Sequence, residues 1–345
     1  MHNSDINLTP PSLSDIEDCA RAISPYTIKT PTHHWSDSLV ENYLGADSEL
    51  HLKLELFQRT GTFKARAAIN NLMHLSDEQR RQGVTTISAG NHAVATAYAA
   101  ACFGVKAKVV MLASANPMRI KVARSYGAEI VMAEDGVTGF QLVEEISRNE
   151  GMHVVHAFEG RNVTTATATC GMELMKSIEK LDAVVVPIGG GGLCSGIAVA
   201  VKTINPECKV YGVEPVNAAL MTLSLKNGCA SELANQTSVA DSLIPPMTFP
   251  YAYSMCNQFV DEIVLVEDEQ IAAAASILFS EVKLAVEAAA AVSTAAAFGP
   301  LRKKLWNKRS ALIVCGTNTD IQAYSQLIKL GNESLERGVL NQDRQ

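Results

Sequence analysis

The sequence lacks a concentrated basic face and a long uninterrupted apolar run. Its formal net charge is −7 over 345 residues, and no basic cluster is longer than the segment 302–304. Nucleic-acid binding normally requires a basic patch, so we expect no nucleic-acid partner. The alanine-rich stretches 271–280 and 285–298 are broken by Glu281 and Glu287. They therefore predict buried helices rather than membrane spans, and we expect no membrane partner.

Targeting and metal-binding patterns are also absent. The segment 1–11 contains no apolar run, which argues against a signal or transit peptide and predicts a cytoplasmic protein. The eight cysteines include no CxxC pair, and the eight histidines show no zinc-site spacing. We therefore predict buried thiols, no metal ion and a small-molecule substrate.

The apolar pattern is that of an α/β protein with mainly parallel sheets. From residue 84 onward, short β-branched runs alternate with longer helical stretches, which is typical of βαβ units. We predict strands at 84–87, 106–111, 129–133, 153–157, 182–187, 209–214, 260–266 and 310–315. We predict helices at 91–103, 117–127, 138–149, 164–180, 193–204, 217–226, 268–283 and 321–331.

The first part of the chain is predicted in less detail. Ser14 and Glu17 have the spacing of a capping box ahead of an N-terminal helix, which Pro25 would end. An extended segment is expected at Glu49–Leu56. Because the strands are too many for one comfortable sheet, we predict two lobes with a ligand cleft between them.

A run of four glycines, Gly189–Gly192, lies between the predicted strand 182–187 and the next helix. Glycines let successive N–H groups turn toward one point at a helix N-terminus, where the helix dipole favours an anion. The run therefore predicts a phosphate site. A plain tight turn needs fewer glycines, and dinucleotide-binding loops use similar runs, so the glycines alone do not identify the ligand.

Lys64 lies among apolar and small residues in the segment Gln58–Arg66, which leads into a helix. A lysine in low-dielectric surroundings loses proton affinity, and a neutral amine is what a Schiff base requires. The alternative is an ordinary solvated helix lysine, which is the commoner case.

Three motifs together resemble those of fold-type II pyridoxal-phosphate enzymes, in the branch of threonine dehydratases and serine racemases. They are Gln58–Arg66, Ser88-Ala89-Gly90-Asn91-His92 and Gly189–Leu193. Weaker similarity runs from Lys53 to Asp320 and includes Gly127-Ala128-Glu129, Val213-Glu214-Pro215, Ala240-Asp241 and Cys315-Gly316-Thr317-Asn318. The resemblance implies a two-lobed fold similar to the tryptophan synthase β chain, bound pyridoxal 5'-phosphate and a homodimer. We expect residues 57–155 to form the small domain, and residues 1–56 and 156–345 the large one.

The resemblance also implies roles for individual residues. Lys64 would form the Schiff base and shuttle the α-proton of the substrate, and Cys315 would face the ring nitrogen of the cofactor as a weak, neutral partner. The expected phosphate-binding residues are Gly189, Gly190, Gly191, Gly192 and Leu193. Asn91 would bind the ring hydroxyl, and the expected substrate-binding residues are Thr62, Ser88, Ala89, Asn91 and His92. An ordinary helix cap at 88–92, a core histidine at His92 and a structural cysteine at Cys315 remain alternatives.

The residue types favour β-elimination over racemisation. The related racemases carry a serine at the position of Ala89, which acts on the face opposite the lysine, and alanine offers no proton. We therefore predict an amino-acid dehydratase, or ammonia-lyase, that acts on a threonine-like or serine-like β-hydroxy amino acid. Alternatives are a racemase, a dehydratase of a specialised substrate such as 3-hydroxyaspartate, and a catalytically silent binder.

Some positions depart from the family pattern. Relatives usually carry Gly-Gln-Gly-Thr at 166–169, where this chain has Ala-Thr-Ala-Thr, and Glu-Pro at 287–288, where it has Glu-Ala. The pocket is therefore expected to be reshaped for a particular β-substituted amino acid. At the metal site of the racemase-like relatives Glu214 is present, but Leu220 replaces a second carboxylate, so no metal is expected. Asp241 is expected at a turn or helix end.

Overall fold

The computed structural model describes residues 8–88, 90–113 and 115–340. The α-helices of the described residues are α1 (Leu13–Ile23), α2 (Ser38–Leu44), α3 (Lys64–Met73), α4 (Asp77–Gln82), α5 (Asn91–Phe103), α6 (Pro117–Ser125), α7 (Gly136–Glu150), α8 (Arg161–Ser177), α9 (Gly192–Ile204), α10 (Leu220–Asn227), α11 (Pro250–Phe259), α12 (Asp268–Ser280), α13 (Ala288–Phe298) and α14 (Ile321–Glu336). The strands are β1 (Thr32–Trp35), β2 (Glu49–Leu54), β3 (Val84–Ile87), β4 (Ala107–Leu112), β5 (Glu129–Ala133), β6 (His153–Val154), β7 (Ala183–Pro187), β8 (Lys209–Pro215), β9 (Glu262–Val266) and β10 (Arg309–Val314). None of the described helices is both long and apolar enough to cross a membrane.

The strands form two sheets. The first has six strands in the order β1-β2-β10-β7-β8-β9, and the second has four in the order β5-β4-β3-β6. Every pairing is parallel except that of β1 with β2. The predicted α/β class with mainly parallel sheets is therefore confirmed. The domain boundaries at residues 57 and 155 stay a prediction.

The core of the six-stranded sheet explains why its sequence is so apolar. All five residues of β7 and all eleven of α13 are buried. A central parallel strand is covered on both faces, so its residues form a continuous hydrophobic run instead of alternating with polar ones. The alanine-rich stretch at 285–298 is thus a buried helix, as predicted, although it begins three residues later, at Ala288.

Two local predictions are wrong. The capping box of α1 is formed by Ser12 and Asp15, not by Ser14 and Glu17: the Ser12 hydroxyl accepts from the Asp15 N–H, and the Asp15 carboxylate accepts from the Ser12 N–H. Both serines have an acidic residue three positions later, but α1 begins at Leu13, so Ser12 occupies the N-cap position and Ser14 lies inside the first turn. The predicted strand 153–157 is reduced to β6, because the last backbone bond to β3 is donated by the Val155 N–H to the Thr85 oxygen (2.9 Å) and the chain then turns toward the site described below.

A buried ionic cluster fixes α3 on β2 and α8. The Arg66 guanidinium donates to Glu55 (2.8 Å) and to Glu173 (2.7 Å), and Lys53 Nζ donates to Glu173 (2.6 Å). Arg66 is 1% exposed and Glu55 is fully buried. Burial alone would raise the pKa of Glu55, yet Arg66 lowers it below its ordinary value, so the carboxylate stays ionised.

Removing the Arg66 guanidinium from this cluster is expected to destabilise the protein strongly. Arg66→Met should lower the free energy of unfolding by about 3 to 5 kcal/mol, because the fully buried Glu55 would lose its ion-pair partner, while Glu173 would keep only Lys53. Arg21→Met is the matched control, since Arg21 pairs with Asp18 on the surface of α1 and should cost less than about 1 kcal/mol. Urea unfolding measures both, and equal losses would contradict the assignment.

Candidate active site

Three of the sequence motifs meet where parallel strands end. β7 leads into the glycine run, β3 leads into the turn before α5, and β10 leads into Cys315. The carboxyl ends of parallel strands are where α/β proteins place ligands. One cavity there is lined by Phe63, Lys64, Asn91, Phe158, Pro187, Gly189, Gly190, Gly191, Gly192, Leu193, Ser242, Leu243, Glu287 and Cys315.

Lys64 is the first residue of α3, and protein surrounds its amine. Lys64 Nζ donates to the backbone oxygen of Ala157 at 2.6 Å. Burial lowers the pKa of Lys64 to about 8, although Cys315 and Glu287 act in the opposite direction. The amine is therefore partly neutral near physiological pH, which is the form that attacks a carbonyl.

The run Gly189–Gly192 forms a cup-shaped loop, in which side chains on the glycines would collide with neighbouring residues. A Cβ atom at Gly190 would lie 2.3 Å from the Phe158 ring, and one at Gly192 would lie 2.7 Å from the Phe158 backbone. Gly191 has φ +91°, in the left-handed region that favours glycine. Because α9 begins at Gly192, the N–H groups of its first turn have no helical acceptors. A cup of this kind fits a phosphate group.

Phe158 has no counterpart in the sequence prediction. It belongs to an aromatic group with His156 and Phe249, whose ring centroids lie 4.8 Å and 5.7 Å from that of Phe158. Only its position shortly after a strand could have pointed to it. Phe158 packs against Gly190 and Gly192, in the space that a side chain on either glycine would need.

The predicted substrate-binding residues are only partly brought into the cavity. Asn91 lines it, whereas Thr62 is fully buried and accepts from the Lys64 N–H at 3.3 Å. The Ser88 hydroxyl accepts from the Gly90 N–H at 3.1 Å. Ala89 lies outside the described residues. The substrate-binding roles of these residues stay predictions.

His92 is held inside the protein rather than at the cavity wall. Its Nε2 lies 3.0 Å from the Val155 oxygen, and a carbonyl can only accept, so Nε2 carries the proton. Burial, with Lys64 adding to the effect, lowers the pKa of His92 to about 3. His92 is therefore neutral, and its ring joins α5 to the end of β6.

Glu287 is a site residue whose role the sequence did not reveal. It is 3% exposed and lines the cavity, where both its oxygens accept from Asn91 Nδ2, at 2.8 Å and 3.0 Å. Burial raises the pKa of Glu287 to about 7, although Arg119 opposes the shift. One signal was available: a single carboxylate directly precedes a helix without charged residues, every residue of which is buried.

Arg119 of α6 links several residues beside the cavity. It is 5% exposed, and its guanidinium donates to the Asn318 oxygen (2.8 Å) and to Asp241 (2.8 Å). Its Nη2 lies 3.9 Å from Glu287. Asp241 begins a single 3-10 turn, which agrees with its predicted position at a turn.

Cys315 lies at the cavity wall and is 3% exposed. Burial, reinforced by Glu287, raises the pKa of Cys315 well above its ordinary value, so the side chain stays a neutral thiol. A neutral thiol is a weak partner for a ring nitrogen. The position opposite the cofactor nitrogen stays a prediction.

Glu214 caps the start of a helix and does not line an open metal-binding site. Its carboxylate accepts from the Met221 N–H (2.6 Å), the Thr222 N–H (2.9 Å) and the Thr222 hydroxyl (2.6 Å) at the start of α10. Within the described ranges no group of three or more His, Cys, Asp or Glu side chains could hold a metal ion. The expected lack of a metal stays a prediction.

Comparison with known proteins gives a consistent result. The family described as pyridoxal-phosphate dependent enzymes matches residues 23–316. The phenylserine dehydratase of Ralstonia pickettii is 44% identical over 323 residues, covering 94% of this chain and 98% of that protein. The L-threonine ammonia-lyase of Thermotoga maritima is 34% identical over 322 residues, covering 93% of this chain and 79% of that protein. The structure of maize serine racemase has a TM-score of 0.86 and 28% identity, covering 96% of this chain and 100% of that one.

The similarity extends over nearly the whole chain, so it includes both sheets and the cavity between them. It confirms the predicted resemblance to threonine dehydratases and serine racemases, and the predicted cofactor. The prediction of a lyase is confirmed as well, since the relatives include a dehydratase and an ammonia-lyase. This chain belongs to the family of pyridoxal-phosphate dependent enzymes.

Proposed function

We propose that this protein is a dehydratase that converts a β-hydroxy amino acid with an uncharged aryl β-substituent into a 2-oxo acid and ammonia. The observation that carries the proposal is the enclosed amine of Lys64, in the same cavity as the cup formed by Gly189–Gly192. Water lost from the β-carbon is returned when the released enamine hydrolyses, so the net change is loss of ammonia.

The residues present fit pyridoxal phosphate. The cup of Gly189–Gly192 would hold its phosphate, Lys64 would attach it covalently, and Asn91 would donate to its ring hydroxyl oxygen. When bound, the cofactor withdraws electrons from the substrate α-carbon, which makes the α-proton acidic and allows a β-hydroxyl to leave. The neutral thiol of Cys315 would leave the ring nitrogen largely unprotonated.

The protein itself supplies the proton transfer and the orientation of the substrate. Lys64 would take the α-proton once the substrate has displaced it, and its partly neutral amine suits that task. Ser88 and Asn91, near the N-terminus of α5, would hold the substrate carboxylate. The related racemases carry a proton-donating serine at the sequence position of Ala89, and alanine has no such group, which favours elimination over racemisation.

The cavity walls favour an uncharged aryl substituent. Phe63, Phe158 and Leu243 are apolar members of the lining. Among the described lining residues the only cation is Lys64, so no second cation is available for a side-chain carboxylate such as that of 3-hydroxyaspartate. The 44% identical relative is named for phenylserine, a β-hydroxy amino acid with a phenyl group.

We also propose that the enzyme is a cytoplasmic homodimer. All eight cysteines are free thiols, which suits a reducing compartment. The dimer is implied by the family resemblance, and light scattering of the purified protein measures it.

Replacement of the proposed lysine should abolish turnover. Lys64→Ala is expected to lower kcat by at least about a thousandfold, because the variant loses both covalent attachment of the cofactor and the proton carrier. The absorbance band of the attached cofactor should disappear as well. Lys226→Ala, an exposed lysine of α10, is the control. A Lys64→Ala protein that keeps the band would contradict the assignment.

Covalent uptake of the cofactor by the apoprotein should depend on pH. Only the neutral amine reacts, so the rate should rise with pH through a midpoint at about 8, the lowered pKa of Lys64. An ordinary lysine would give a midpoint at about 10.4. Stopped-flow absorbance between about pH 7 and 10 measures this rate, and a midpoint near the ordinary value would show that the amine is solvated.

Substrate preference should follow the walls of the cavity. Phenylserine is expected to have a kcat/KM at least about tenfold above that of 3-hydroxyaspartate, whose second carboxylate would be buried without a partner. Release of ammonia and of the 2-oxo acid from each stereoisomer measures this, with threonine and serine alongside. Faster turnover of 3-hydroxyaspartate would overturn the substrate class but not the dehydratase reaction.

A further inference from the structure

The side-chain amide of Asn91 is held from two sides. Its Oδ1 accepts from Asn318 Nδ2 at 2.8 Å, and its Nδ2 donates to Glu287 at 2.8 Å. Asn91 is 6% exposed, so little solvent can reach the amide to replace either contact. Both partners come from segments next to the six-stranded sheet, whereas Asn91 begins α5, which covers the other sheet.

The orientation of this amide follows from groups that can only accept. The Thr60 carbonyl accepts from Asn318 Nδ2 at 2.8 Å, so the amide nitrogen of Asn318 must face it. The second hydrogen of that nitrogen then reaches Asn91 Oδ1. The Asn91 nitrogen is left facing the Glu287 carboxylate, which is itself an acceptor.

Glu287 and Asn318, which together we call the clamp, are themselves held in place by hydrogen bonds. Glu287 Oε2 accepts from the Asn318 N–H at 3.2 Å, and the Arg119 guanidinium donates to the Asn318 backbone oxygen. Gly316 leaves the room that Glu287 needs, since a Cβ there would lie 2.7 Å from Glu287 Oε1. A rotation of the Asn91 amide would therefore break two contacts in a packed, buried group.

We propose that Glu287 and Asn318 are positioning residues that fix the orientation of the Asn91 amide, so that Asn91 presents an N–H group to the ring hydroxyl oxygen of the bound cofactor. The inference rests on the cofactor-binding role of Asn91 in the proposed function. A rotated amide would present its oxygen to the cofactor oxygen and repel it. Glu287 and Asn318 thus act on the cofactor through Asn91.

The test measures cofactor affinity rather than turnover. Asn318→Ala and Glu287→Ala should each raise the dissociation constant for pyridoxal phosphate about tenfold, the value of one hydrogen bond, and should shift the absorbance band of the bound cofactor. Thr317→Ala is the matched control in the same loop, since the Thr317 hydroxyl binds the Ala285 oxygen and not the clamp. Its dissociation constant should equal that of the unmodified protein.

A double-mutant cycle separates positioning from a general structural role. In an Asn91→Ala background, Asn318→Ala should change the dissociation constant by less than about twofold, because the amide it orients is gone. Glu287→Gln retains an acceptor oxygen of the same reach, so it should recover most of the affinity lost in Glu287→Ala. Equal effects of Asn318→Ala in both backgrounds, or no effect in the unmodified protein, would overturn the proposal.

Two controls separate the test from loss of folding and from failure of the proposed reaction. Thermal unfolding of each apoprotein shows whether the variant is folded, and if Asn318→Ala fails to fold, the comparison of Glu287→Ala with Glu287→Gln decides. Release of a 2-oxo acid by the unmodified protein tests the proposed function separately. A protein that turns over no substrate can still show the predicted changes in cofactor affinity.

Discussion

The rest of the site depends on the hydrogen bond that the enclosed amine of Lys64 donates to the backbone oxygen of Ala157. An exposed lysine would stay protonated and inert at neutral pH, whereas burial lowers the pKa of Lys64 to about 8. Several features of the fold serve this contact. β6 ends at Val154, and three residues later the backbone oxygen of Ala157 accepts from the amine. The Arg66 cluster fixes α3, which begins at Lys64, and the Phe63 N–H donates to the Cys315 oxygen at 3.2 Å.

The cavity also depends on how the two sheets are joined. α6, which packs beside β5, carries Arg119 to the loop after β10, where it binds the Asn318 oxygen. Asn116, at the start of the same helix, donates to Asp320 in that loop. The charge of Arg119 is balanced by Asp241 and by nearby Glu287, so a buried guanidinium is stable there. The elements that hold the cofactor site are therefore cross-linked by hydrogen bonds between the two halves of the protein.

Local patterns predicted most of the fold, because buried parallel strands and their helices have an unmistakable periodicity. The glycine cup and Lys64 were found from sequence for a related reason: their chemistry requires particular residue types. Phe158 and Glu287 were missed because their importance comes from contacts with residues distant in the chain. The distance from Glu287 to Asn91 along the sequence is 196 residues, and no local signal records such a contact. The capping box of α1 was misplaced by two residues, since Ser12 and Ser14 are both plausible caps until tertiary contacts select one.

The most direct test of the account is to locate the covalent link between cofactor and protein. The protein loaded with pyridoxal phosphate is reduced with borohydride, digested and analysed by mass spectrometry. The account predicts that the mass of the reduced cofactor is found on the peptide that contains Lys64 and on no other lysine peptide. Attachment at a different lysine, or no attachment in a protein that releases a 2-oxo acid, would contradict it.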